Sequence, residues 1–193
     1  MLGNSAWEQM GQIDLLVNNA GVSYKKHFLD TTPEDADFFL GVNYRSPFFL
    51  TQTIAAKMVA ANIEGSIISI TSVNGIRPGL GLSAYGASKG ALETLMKGVA
   101  MELAPHNIKV NTIAVGAVET DMNASVRDND ALMKEVNEGI PMGHFGQPEE
   151  IAATVVNILA SGSYLTGATI NLDGGLLLMR GYGKPLPYNK ENA

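Results

Sequence analysis

Short apolar runs alternate along this chain with longer stretches of helical periodicity. Ile13-Asp14-Leu15-Leu16-Val17 is a nearly continuous apolar run, as expected of a strand buried on both faces, and Ile67-Ile68-Ser69-Ile70 is a second of that type. Ile108 to Val115 and Ala168-Thr169-Ile170-Asn171-Leu172 read as a third and a fourth strand. Residues 2–11 read as the end of a helix stopped at Gly11. Thr32-Pro33-Glu34-Asp35 opens another, with a cap residue, a first-turn proline and acids at the positive end of the dipole. Pro47 fits the first turn of a helix continuing to about Asn62, with Leu50, Ile54 and Met58 on one stripe. The pattern predicts a long helix from Ser83 to Ala104, stopped by Pro105, with Leu92, Leu95, Met96, Val99 and Leu103 on its apolar face. Gly86 and Gly90, beside Ala87 and Ala91, leave a surface where another backbone can approach closely. Gln147-Pro148-Glu149-Glu150 starts the last helix, to about Ala160. The glycines and proline of Val73–Leu82 read as an irregular loop, and residues 120–146 as a helical flap.

Strands alternating with helices predict a parallel α/β sheet joined by right-handed crossovers. Ligands of such sheets sit at the carboxyl ends of the strands. Here those ends are Asn18–Gly21, Thr71–Ser72 and Val115–Thr120.

Composition narrows the class. A chain of 193 residues, 46% hydrophobic and 17% charged, is expected to form one globular domain, spanning residues 1–180, with a polar tail at 181–193. The net charge of −6 carries no basic stripe, so nucleic acid is not an expected partner. Zero cysteines exclude disulfides and thiolate metal sites. No apolar run approaches the roughly 20 residues of a membrane span, and no signal-peptide pattern stands at the start, so a cytoplasmic protein is the expectation. Asn123-Ala124-Ser125 matches a glycosylation acceptor, a match that chance explains without a secretory signal. His27, His106 and His144 lack metal-ligand spacing.

The candidate chemistry lies at Ser72, Tyr85 and Lys89. On a helix Tyr85 and Lys89 are i, i+4 neighbours on one face. An ammonium beside a phenol favours the phenolate, and a strand-end serine can hold a reacting oxygen, so the trio suits proton exchange at an alcohol or carbonyl. The spacing alone is weak, since a surface tyrosine beside a solvated lysine has the same pattern. Its placement at the strand ends gives it weight. Asn43 reads equally as a cap for the helix near Pro47, and Thr120 as an N-cap for the segment after it.

Together these pieces resemble the short-chain dehydrogenase/reductase family over nearly the whole length. The carriers are Asn18-Asn19-Ala20-Gly21, Asn43, Ser72, Tyr85-x-x-x-Lys89, Asn111 to Thr120, and Asp173-Gly174-Gly175. The resemblance implies an oxidoreductase that uses NAD or NADP to interconvert a secondary alcohol and a ketone. By it Tyr85 is the catalytic acid/base, Ser72 binds the substrate oxygen, and Lys89 lowers the Tyr85 pKa and holds the nicotinamide ribose. Asn43 supports a proton-relay water. Asn18, Ala20 and Gly21 line the adenosine side, while Gly116, Val118 and Thr120 contact the nicotinamide and phosphates. A small-molecule substrate and a homodimer or homotetramer are also implied.

Two departures stand out. Val115-Gly116 replaces the family's usual Pro-Gly, which leaves that loop less fixed. More important, the family places a glycine-rich strand–loop–helix before the Asn-Asn-Ala-Gly strand, to cradle the pyrophosphate. Only twelve residues precede Ile13. Two βαβ steps of about 30 residues each would be needed there. The expected fold is therefore a partial Rossmann-like, doubly wound parallel sheet without its N-terminal strands. The alternative expectation is a truncated or pseudoenzyme fragment that binds cofactor poorly and serves as an assembly partner.

Overall fold

Each apolar run becomes a strand and each periodic stretch a helix. The computed structural model describes residues 2–162 and 164–179, so the expected tail at 181–193 lies outside the described residues. Helix α1 (Leu2–Met10) ends at Gly11, whose φ of +78° is the left-handed turn a glycine adopts without strain. Strand β1 (Leu15–Asn18) leads through a loop to α2 (Pro33–Leu40). Thr32 caps α2 reciprocally with Asp35: the Asp35 N–H donates to Thr32 Oγ1 at 3.3 Å, and the Thr32 N–H to Asp35 Oδ2 at 2.8 Å.

A π-turn over Gly41–Arg45 joins α2 directly to α3 (Ser46–Ala60). Then come β2 (Ser66–Ser72), the one-turn α4 (Val73–Ile76) and α5 (Ser83–Leu103). Strand β3 (Lys109–Val115), the short α6 (Ala124–Arg127), α7 (Asp130–Glu138), α8 (Pro148–Ala160) and β4 (Thr169–Leu172) follow.

The four strands are parallel and ordered β1-β2-β3-β4, with Val17 opposite Ile68, Ser72 opposite Val115 and Val115 opposite Leu172. Successive side chains point to opposite faces, so the sheet has two cores. Ile67 and Val110 pack on one side with Ile54 and Met58 of α3 and Leu92 and Met96 of α5. Trp7 of α1 lies against that layer. Ile68 and Ile113 pack on the other side with Ile158 of α8. Burying each such side chain contributes about 1.5–3 kcal/mol.

Three expectations change. Val73–Leu82 is not irregular throughout, because the Ser72 hydroxyl accepts the Asn74 N–H at 3.1 Å and starts α4. Asn43 is not a helix cap but an interior residue of the π-turn. Val17 is 37% exposed rather than buried on both faces, and β1 stands at the edge of the described sheet.

The small-residue face of α5 meets α4 of the same chain. A Cβ on Gly86 would sit 2.5 Å from the Asn74 carbonyl oxygen, and one on Gly75 would sit 2.8 Å from the Gly90 nitrogen. This contact sets Ser72 and Tyr85 side by side.

Candidate active site

The carboxyl ends of β2 and β3, the start of α5 and the first turns of α8 enclose a cleft of about 630 Å³. Its lining includes Gly21, Ser72, Tyr85, Lys89, Gly116 and Thr120. That volume lies within the usual range of small-molecule sites.

Tyr85 enters from the first turn of α5, 7% exposed. Its ring meets the buried Phe39 ring edge-on, with centroids 6.2 Å apart, and Phe39 in turn packs on Tyr24 at 4.5 Å. Burial pushes the Tyr85 phenol above its ordinary pKa, and a hydrogen bond shared with Ser72 offsets part of the rise. The net direction is opposite to the lowering expected from Lys89.

Lys89 lies one turn further along, 4% exposed. Its Nζ donates to the Ile70 carbonyl at 2.9 Å. Desolvation lowers its pKa from 10.5 to about 8. One carbonyl engages one of the three ammonium donors. Gly21 stands directly over this group, for a Cβ there would meet Lys89 Nζ at 3.0 Å and Asn43 Oδ1 at 3.3 Å.

Asn43 is fully buried beneath the cleft. Its Oδ1 accepts the Val22 N–H at 2.8 Å, and its Nδ2 donates to the Val22 carbonyl at 2.9 Å and to Ser88 Oγ at 3.0 Å. Pro47, four residues on, has no N–H to give the Asn43 carbonyl the usual helical bond.

The remaining expected residues divide. Gly116, Val118 and Thr120 line the cleft. Gly116 also lets β3 and β4 close together, since a Cβ would come within 2.7 Å of the Asp173 Cα. Thr120 precedes a 3₁₀ turn without making a side-chain cap. Asn18 and Ala20 face a separate groove of about 410 Å³ with Asn19, which also touches the main cleft. Asn18 Nδ2 donates to Thr51 Oγ1 at 2.9 Å and Ser69 Oγ at 3.0 Å, bracing β1 to α3 and β2.

The sequence reading missed Ser88, Phe39 and the Ile70 carbonyl. Only Ser88 carried a signal, as a hydroxyl one helical turn after Tyr85. Among the described residues no group of His, Cys, Asp or Glu is placed to hold a metal, and no helix is long and apolar enough to cross a membrane.

A family model described as Enoyl-(Acyl carrier protein) reductase matches residues 2–177. With the parallel sheet and the Ser72/Tyr85/Lys89 cluster, this match places the chain in the short-chain dehydrogenase/reductase family of NAD(P)-dependent oxidoreductases. Carbonyl reductase [NADPH] 2 of Sus scrofa is 38% identical over 169 residues, which are 87% of this chain and 69% of that protein. A gluconate 5-dehydrogenase from Burkholderia cenocepacia, solved with NADP and tartrate, superposes with a TM-score of 0.86 at 31% identity, covering 92% of this chain and 69% of that one. A 4-hydroxyisoleucine dehydrogenase solved with NADH gives a TM-score of 0.87 at 28% identity, covering 92% and 74%.

Proposed function

We propose that this chain carries the reaction centre of an NAD(P)-dependent oxidoreductase that interconverts a secondary alcohol and a ketone. The observation that carries the reading is the convergence of Ser72, Tyr85 and Lys89 on one cleft at the strand ends.

The residues present fit the nicotinamide end of the cofactor. Gly21 leaves open backbone beside the Lys89 ammonium, and Lys89 keeps donors beyond the one given to Ile70. Lys89 and Gly21 would hold the ribose, and Gly116, Val118 and Thr120 the nicotinamide side. Bound there, the nicotinamide would supply the carbon that gives or takes the hydride. The pyrophosphate end has no comparable support: among the described residues, no glycine-rich turn links a strand to a helix N-terminus.

In ketone reduction Tyr85 donates its hydroxyl proton to the substrate oxygen, which Ser72 Oγ holds. A phenol carries its proton at neutral pH, so Tyr85 is in the form that can donate. The Lys89 ammonium, while charged, stabilises the phenolate left behind. In alcohol oxidation the proton returns to Tyr85.

The test follows nicotinamide absorbance with NADH and NADPH against a panel of ketones, beside a titration of each nucleotide. Turnover with saturable binding of NADH or NADPH is the expected result. No turnover together with no binding would overturn the reading in favour of an assembly fragment.

A further inference from the structure

We infer that Ser88 is a positioning residue that sets the orientation of Asn43 and, through it, holds the Gly21–Val22 loop against Lys89. Ser88 is fully buried on α5, between Tyr85 and Lys89 in helical position but turned away from the cleft. Its hydroxyl donates to the Tyr85 carbonyl at 2.7 Å, which commits its only proton. Toward Asn43 it can therefore only accept, and it takes the Nδ2 donor at 3.0 Å. That choice fixes which end of the carboxamide is which. Nδ2 faces Ser88 and the Val22 carbonyl, leaving Oδ1 for the Val22 N–H.

The result is a two-way clamp on the Val22 backbone. Val22 follows Gly21, the residue that lies against the Lys89 ammonium. A chain of four hydrogen bonds thus runs from the Tyr85 backbone through Ser88 and Asn43 to the loop above Lys89. The same helix turn that presents Tyr85 and Lys89 also locates their roof. The link between α5 and the loop stands on geometry alone, and its catalytic consequence rests on the function proposed above.

Amide hydrogen exchange tests the link without requiring turnover. In Ser88→Ala, the Asn43 Nδ2 loses a buried acceptor, and the Val22 amide is expected to exchange about tenfold faster, while amides of β3 keep their wild-type rates. An unchanged Val22 rate overturns the inference. Acceleration spread equally over β3 and α5 also overturns it, since Ser88 would then be a packing residue. Should Ser88→Ala fail to fold, Ser88→Cys, with a poor acceptor of similar size, gives the same two readings. With NADPH and a ketone, Ser88→Ala is expected to lower kcat by about tenfold and Ser88→Thr to restore it. Faster Val22 exchange without loss of turnover would leave the clamp standing and count against the catalytic reading of the site.

Discussion

Replacing Lys89 by methionine separates the cost of its burial from every other charge in the molecule. The folded pKa is about 8 against 10.5 for the free side chain, with desolvation as the cause. A shift of that size corresponds to about 3 kcal/mol between the charged and neutral forms. Below pH 8 the folded protein holds a buried ammonium that the unfolded chain would hydrate, and stability is reduced. Between pH 8 and 10.5 the folded state releases this proton while the unfolded chain keeps it, so stability rises with pH. Tyr85, whose folded pKa lies above 10, begins to oppose this only beyond that value. Lys89→Met lacks the titration. It should exceed the wild type in stability at pH 7, and the gap should close by about 2–3 kcal/mol by pH 10. Loss of the bond to the Ile70 carbonyl shifts the gap uniformly and leaves its slope intact. Urea unfolding of both proteins at pH 7, 8, 9 and 10, with m-values compared, gives the difference directly. A gap that stays constant across that range would refute the account of Lys89 as a desolvated ammonium.

Other perturbations test the neighbouring geometry. Gly86→Ala places a Cβ 2.5 Å from the Asn74 carbonyl and must push α4 away from α5. It should lower stability by about 1–3 kcal/mol in urea unfolding and abolish most turnover by moving Ser72. Gly98→Ala, on the same helix with nothing within 4 Å, should instead add about 0.5–1 kcal/mol. Thr32→Ala removes one half of the capping pair with Asp35 and should cost about 1 kcal/mol, read as a fall in the urea midpoint. The ketone-reducing rate should hold up to pH 7 and fall as the ammonium discharges around the Lys89 pKa of about 8, which a pH–rate profile of kcat would show.

Much of this was legible in the residue pattern because local chemistry fixed it. Thr32-Pro33-Glu34-Asp35 contains both halves of its capping box, and Pro148 with Glu149 and Glu150 marks the start of α8. Ile67 to Ile70 is apolar on both sides because helices cover both sides of β2. The Gly86/Gly90 surface was readable as a close approach, but its partner, α4, was not, since Gly75 reads locally as a loop residue. Pro47 signalled the first turn of a helix and stands in the first turn of α3, while the π-turn that runs into it carried no local signal. Asn43 was found as a type and a position, while its clamp on Val22 depends on residues 21 and 45 positions away in the chain. The direction of the Tyr85 shift was misjudged for a related reason. The spacing to Lys89 was visible, but the burial that raises the phenol comes from tertiary packing, in which the Phe39 ring meets Tyr85. The second role of Gly116, admitting Asp173, likewise needed the register of β3 against β4.

The central claim is that Tyr85 passes a proton to or from a substrate oxygen. The most direct measurement compares ketone-dependent NADPH or NADH oxidation by the wild type and by Tyr85→Phe, which keeps the ring against Phe39 and loses only the hydroxyl. The account predicts a fall in kcat of about 10²- to 10⁴-fold with the urea midpoint nearly unchanged. A Tyr85→Phe protein as active as the wild type would contradict it.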